Sequence, residues 1–215
     1  MRKRSETPHH AFMALVRAIV ADDAESASRL LAASPDLART HAGEGATRKA
    51  AKDHYLDEIM HYLYAGDTAL HIAAAGYRLE IARKLLAGGA NVRARNRRGA
   101  EPLHYASDGS PESPAWNPSA QAATIACLIE AGADPNAFDN SGVAPLHRAV
   151  RTRCAAAVKA LLEKGADAQR RNKSGSPPML LATQNTGRGG SGSPEAKQQQ
   201  REIVRLLVQR GATAP

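Results

Sequence analysis

Beyond residue 65 the apolar side chains fall into paired clusters with helical spacing, and the pairs repeat. A first cluster opens each unit: GDTALHIAA from Gly66, GAEPLHYAS from Gly99, GVAPLHRAV from Gly142 and GSPPMLLAT from Gly175, at intervals of 33, 43 and 33 residues. A leucine-rich cluster follows in each: EIARKLLAGGANVRARN, TIACLIEAGADPNAFDN, AVKALLEKGADAQRRNK and EIVRLLVQRGAT. Leu70, Leu103, Leu146 and Met179 are the inward positions of the first helices. Leu85-Leu86, Leu128-Ile129, Leu161-Leu162 and Leu207-Val208 are those of the second. Ala73, Ala106, Ala149 and Ala182 let helices approach closely. Gly89, Gly132, Gly165 and Gly211 follow the second helices, where a left-handed cap favours glycine. Neither helix of a unit can cover its apolar stripe alone, so the pattern predicts one continuous core built by stacking.

The repeat resembles the ankyrin repeat, with its period of about 33 residues, T-P-L-H-x-A in the first helix and a leucine-rich second helix ending in G-A-D. The resemblance covers residues 66–215 and extends to 11–40 as a divergent first unit. It implies an all-α, ankyrin-type helical solenoid with short hairpin-like finger turns. Residues 1–10 are then a flexible tail and 11–215 a single array. Within the array, 11–40 is a capping unit with helices at 11–20 and 24–33, 41–65 an inserted helix, and 66–98, 99–141, 142–174 and 175–215 the repeats. The copies depart from the motif in places: Thr68 is the only motif threonine, and Leu180 replaces the motif histidine in the last copy. The resemblance implies that His71, His104 and His147 hydrogen-bond backbone between repeats and are not catalytic. It also implies a non-enzymatic scaffold that holds another protein on its concave face and finger tips.

Three segments exceed the pattern. In 41–65, TRKAAKDHYLDEIMHYLY has the look of a helix, and His54, Glu58 and His61 then share one face. Imidazole and carboxylate on one face are a weak candidate for metal ligation; the alternative is that Tyr55, Ile59, Tyr62 and Leu63 dock the helix and the histidines pack or face water. The second segment, loop 107–120, carries the sole tryptophan, Trp116, among prolines. The third, 184–200, holds TGRGGSGSPEAK. Its glycines fit G-x-G-x-x-G, but a helix and not a strand precedes them, which rejects a dinucleotide fold. Ser193 stands where a P-loop needs lysine, which rejects that motif as well. Ser193 and Pro194 read instead as a helix start. Both loops join first to second helix, in units two and four, and are long enough to lean over unit three. That would gather Asp108, Trp116, Arg151, Arg153 and Arg188 into an accessory anion or peptide site, the other reading being a flexible solvated loop.

Charge sharpens the partner question. The 215 residues carry a net charge of +8, which favours acidic partners. The finger turns alternate in sign: Arg93, Arg95, Arg97 and Arg98, then Asp134 and Asp139, then Arg170 and Arg171. Such a rim can select a complementary protein surface. Two alternatives stay open: small-molecule or anion binding, with or without catalysis, by the inserted loops, and nucleic-acid binding by the basic fingers. The fingers lack the interleaved aromatics that stack on bases. Cys127 and Cys154 form no CxxC, so no structural zinc is indicated, and free thiols suit a reducing cytoplasm. Cys154, beside Arg151 and Arg153, reads as inert or as a thiol of lowered pKa. No cofactor is expected, no run of apolar residues is long enough to span a membrane, and a monomer is expected.

Overall fold

The computed structural model describes residues 8–111, 113, 116–184 and 193–213. Its helices form two rows. First helices are α1 (Pro8–Val20), α3 (Ala69–Ala75), α5 (Pro102–Ala106), α7 (Pro145–Arg151) and α9 (Pro178–Thr183). Second helices are α2 (Ala24–Ala33), α4 (Leu79–Ala87), α6 (Pro118–Glu130), α8 (Ala155–Glu163) and α10 (Pro194–Gln209). Each helix packs against its predecessor and successor in its own row. One hydrophobic cluster therefore runs from Phe12 to Ala212. Leu70, Leu103, Leu161 and Leu207 are fully buried in it, as the repeat pattern requires, with Ala73, Ala106, Ala149 and Ala182 at the close approaches. The helix start read at Ser193 is present, with Ser193 Oγ accepting from Ala196 N, and α6 starts in the same way, its Asn117 side chain accepting from Ala120 N. Residues 194–200 thus belong to α10 and not to a loop.

Imidazoles stitch the units together. His71 Nδ1 accepts from Thr68 N at 3.1 Å, and His104 Nδ1 from Glu101 N at 3.1 Å. An acceptor Nδ1 places the ring proton on Nε2, which donates to the next unit: His71 to Ala100 O at 3.0 Å and His104 to Val143 O at 3.1 Å. His147 repeats the first bond, with Ala144 N at 3.3 Å.

The finger turns are closed by a side chain rather than by a strand ladder. Asn96 Oδ1 accepts from Arg98 N and Ala100 N, Asp139 Oδ1 from Ser141 N and Val143 N, and Asn172 Oδ1 from Ser174 N and Ser176 N. In each turn the glycine that follows three residues later has positive φ: Gly99 at 69°, Gly142 at 67° and Gly175 at 80°.

The inserted helix expected at 41–65 is absent. Residues 42–46 instead run beside 63–67, with Ala42 N donating to Asp67 O, Ala46 N to Leu63 O and Gly66 N to Ala42 O. Beyond them lie two 3₁₀ turns, Lys52–His54 and Asp57–Ile59, and a small hairpin of β1 (Tyr55–Leu56) and β2 (His61–Tyr62). Tyr55 pairs with Tyr62 in register, their rings 4.7 Å apart. The i, i+4 apolar pattern that suggested a helix is overridden by this cross-strand aromatic pair and by pairing with the edge of the first repeat.

Two outcomes follow. A Cβ on Gly45 would lie 2.5 Å from Ala65 N and Tyr64 C. Gly45→Ala should therefore lower stability by about 1–3 kcal/mol in urea denaturation; an unchanged midpoint would show that the 42–46 segment is not seated there. The second concerns pH. Burial lowers His71 and His104 to about 4 and also lowers His147. The unfolded chain ionises these rings near 6.5, so it binds more protons than the folded chain between pH 6.5 and 4, and stability falls across that window. Asp67 opposes the trend, because burial raises its carboxyl to about 6 and the folded chain takes the extra proton there. Burial also lowers His61 and raises Glu101. With four rings against two carboxyls, the melting temperature should be lower at pH 5 than at pH 7; equal values would contradict neutral buried rings.

Candidate functional site

The insertion 41–65 and the loop beginning at Ser107 meet at the C-terminal ends of α3 and α7. Between them lies a cavity of about 680 Å³. This chain has few aromatic residues, yet all five tyrosines (Tyr55, Tyr62, Tyr64, Tyr77 and Tyr105) and the single tryptophan line this cavity.

A buried ionic bridge holds the cavity's floor. Arg148, on α7, donates to Asp108 Oδ2 and to Asp139 Oδ2, each at 2.8 Å. Burial works against Asp139's charge, but the Arg148 bond and the turn N–H groups outweigh it and hold the carboxyl below the usual range. Arg148 thus joins the inserted loop to the finger turn that precedes its own helix. The loop is fixed at three further points. Tyr77 Oη donates to Asp108 O at 2.5 Å, and Gln121 Nε2 donates to Ala106 O and Asp108 O at 3.0 and 3.1 Å. Trp116 Nε1 donates to Gln121 Oε1 at 2.9 Å. Behind the opposite wall Tyr105 Oη donates to the Asp67 carboxylate, and Asn96 Nδ2 donates to both. The His61 ring lies 4.2 Å from that of Tyr105.

Of the five residues expected to gather over unit three, Asp108, Trp116 and Arg151 do line the cavity. Arg153 does not: it is 2% exposed, sits at φ 61° and donates to Ala182 O at 2.8 Å and to Gln184 O, fastening unit three to unit four. A left-handed residue turns its side chain inward here, so the guanidinium is spent on α9 carbonyls. Arg188 and the glycine run lie outside the described residues. Among the described residues, the segment that joins loop 107–120 in forming a cavity is 41–65.

His54, Glu58 and His61 are divided among a 3₁₀ turn, a second 3₁₀ turn and β2, so they share no helix face. Among the described residues no three His, Cys, Asp or Glu side chains converge in a metal-holding group. Burial raises the Cys154 thiol to about 12, because the charged form is disfavoured there despite the neighbouring arginines. This is the inert cysteine, not the activated one.

The rim of alternating charge is largely turned to internal use. Arg93 pairs with Asp134 at 3.3 Å across two fingers. Arg95 donates to Gly99 O and Phe138 O. Arg97 donates to Ala46 O, and the Arg97 and Arg98 guanidiniums lie 5.6 and 4.9 Å from the centre of the Tyr64 ring. Arg170 covers Phe138 at 4.1 Å, and Arg171 donates to Gly175 O. Asp139, expected at a finger tip, is 8% exposed and closes its turn.

Arg148, Tyr64, Tyr77 and Tyr105 were not singled out by sequence, and Tyr55 and Tyr62 were read only as docking residues. A signal for the Asx turns was present, however: Asn96, Asp139 and Asn172 each stand three residues before a unit-opening glycine.

Comparison with known proteins agrees with this geometry. The family model described as ankyrin repeats in three copies matches residues 15–113 and 119–214. The chain belongs to the ankyrin repeat family. This ankyrin repeat protein is also similar to the Ankyrin repeat and KH domain-containing protein mask-1 of Caenorhabditis elegans, with 38% identity over 85 residues. That stretch is 40% of this chain and 3% of the relative. Ankyrin repeats generally serve as protein-interaction scaffolds. No helix among the described residues is long and apolar enough to cross a membrane.

Removing the Arg148 bridge tests the floor of the cavity. Arg148→Met strands two carboxylates, one of them nearly fully buried, and should cost about 3 kcal/mol. Combining it with Asp139→Asn should cost less than the sum of the single changes. Additive losses in urea unfolding would mean the bridge is not formed.

Proposed function

We propose that this protein is an interaction module that anchors a segment of its partner polypeptide in the aromatic cavity between the 41–65 insertion and the loop from Ser107. The observation that supports this is the concentration of every tyrosine and the tryptophan on one concave site. Tyrosine, tryptophan and arginine dominate binding energy at protein interfaces, because they bury large areas at modest entropy cost. The repeat stack acts as the rigid support. The finger arginines act chiefly within the array, tying one finger to the next. The reading uses no catalytic group and no cofactor.

The cavity's size also falls within the range of small-molecule sites, which favours a small ligand as the second reading. Peptide display separates the two. Random peptides panned on the wild type should converge on a motif, and Trp116→Ala with Tyr62→Ala should weaken the selected peptide at least tenfold. Arg171→Ala, remote from the cavity, should leave it unchanged. Convergent peptides indifferent to Trp116 and Tyr62 would refute the assignment.

A further inference from the structure

Among the described residues, the positive charges around the cavity are only partly balanced. Four arginines line it: Arg78, Arg98, Arg148 and Arg151. Arg148 is neutralised by Asp108 and Asp139, and Arg78 pairs with Asp22 at 3.4 Å while donating to Val20 O. Arg98 and Arg151 form no ion pair among the described residues, and both residues are exposed. Arg98 is held in place nonetheless, its guanidinium stacked 4.9 Å from the centre of the Tyr64 ring. Against these two cations the described residues of the lining offer one further carboxylate, Glu58, on the exposed 3₁₀ turn at the rim.

We infer that the occupant of this cavity is an acidic peptide segment, with an aromatic or aliphatic side chain among the tyrosines and carboxylates on Arg98 and Arg151. This deepens the function proposed above and rests on it. Guanidinium groups suit carboxylates because their paired donors match the two oxygens. The chain's net charge of +8 steers the same class of partner. A single-stranded nucleic acid also seeks arginine and aromatic rings, but it needs a basic track for its backbone. That track is broken here: Arg93 is paired with Asp134, and Arg95 is bound to Gly99 O and Phe138 O.

Trp116 is the sole tryptophan and sits in the wall, so its fluorescence reports occupancy directly. The probe is a capped hexapeptide with two acidic residues on each side of Leu-Phe. Its counterparts carry lysine or glutamine in the acidic places, and a ten-nucleotide oligouridine is the fourth ligand. The acidic peptide should shift the Trp116 signal and bind at least tenfold more tightly than either counterpart, with affinity falling as salt rises. Arg151→Gln, at an exposed site without an ion pair, should melt as the wild type does and bind the acidic peptide about tenfold more weakly. Equal or tighter binding of the lysine or glutamine peptide at Trp116 would overturn the charge assignment while leaving a peptide-binding cavity in place. Tighter binding of oligouridine would overturn it in favour of nucleic acid. Silence of Trp116 with all four ligands would overturn it too, and peptides selected by display would then decide whether the cavity binds peptide at all.

Discussion

No helix pair in this chain is closed by itself. Each has an apolar stripe that only the adjoining pair can cover, so the array behaves as a one-dimensional lattice held by contacts between neighbours. The bridges of His71 and His104 act along the same axis: each of these two rings is fixed by its own unit and donates to the carbonyl of the next. Burial and these bonds together set the spacing of units. A rigid spacing is what allows segments from different units to form a shaped site.

The cavity uses that rigidity at places where the repeat pattern is broken. A plain unit turns from first to second helix through one left-handed residue, as at Tyr77 and Arg153. Unit two instead inserts a loop at that point, and the segment before unit one doubles back as a strap and hairpin. Arg148 makes the inserted loop depend on the regular array, because it sits in a repeat helix and grips both that loop and a finger turn.

The repeats were legible in the sequence because stacking imposes a strict period on leucine, alanine and glycine. The cap helices and the Ser193 start were legible because each depends on near neighbours in the chain, and the role of His71 and His104 followed from the family resemblance, since their second bonds reach 29 and 39 residues along the chain. Residues 41–65 were not, since the Tyr55–Tyr62 pair reads as a helical spacing until the pairing of 42–46 with 63–67 is known. Arginine was the least legible residue. Arg148, Arg151 and Arg153 lie within six positions. One is a buried bridge, one an exposed cation and one a clamp on α9. Their fates depend on backbone direction and on carboxylates up to 40 residues away. Asp139 was misplaced for a related reason, because an acidic residue in a finger can face water or close the turn, and the turn glycine decides it.

The segregation of ring systems has a spectroscopic corollary. The helical rows contain almost none of the strong aromatic chromophores; the phenylalanines Phe12 and Phe138, which absorb weakly, lie outside the cavity lining. Near-ultraviolet circular dichroism of this protein is therefore dominated by the cavity walls, to which the array adds Tyr105 of α5, while the far-ultraviolet band belongs to the helices. Loosening of the insertions and melting of the array can be followed as two separate events in one sample.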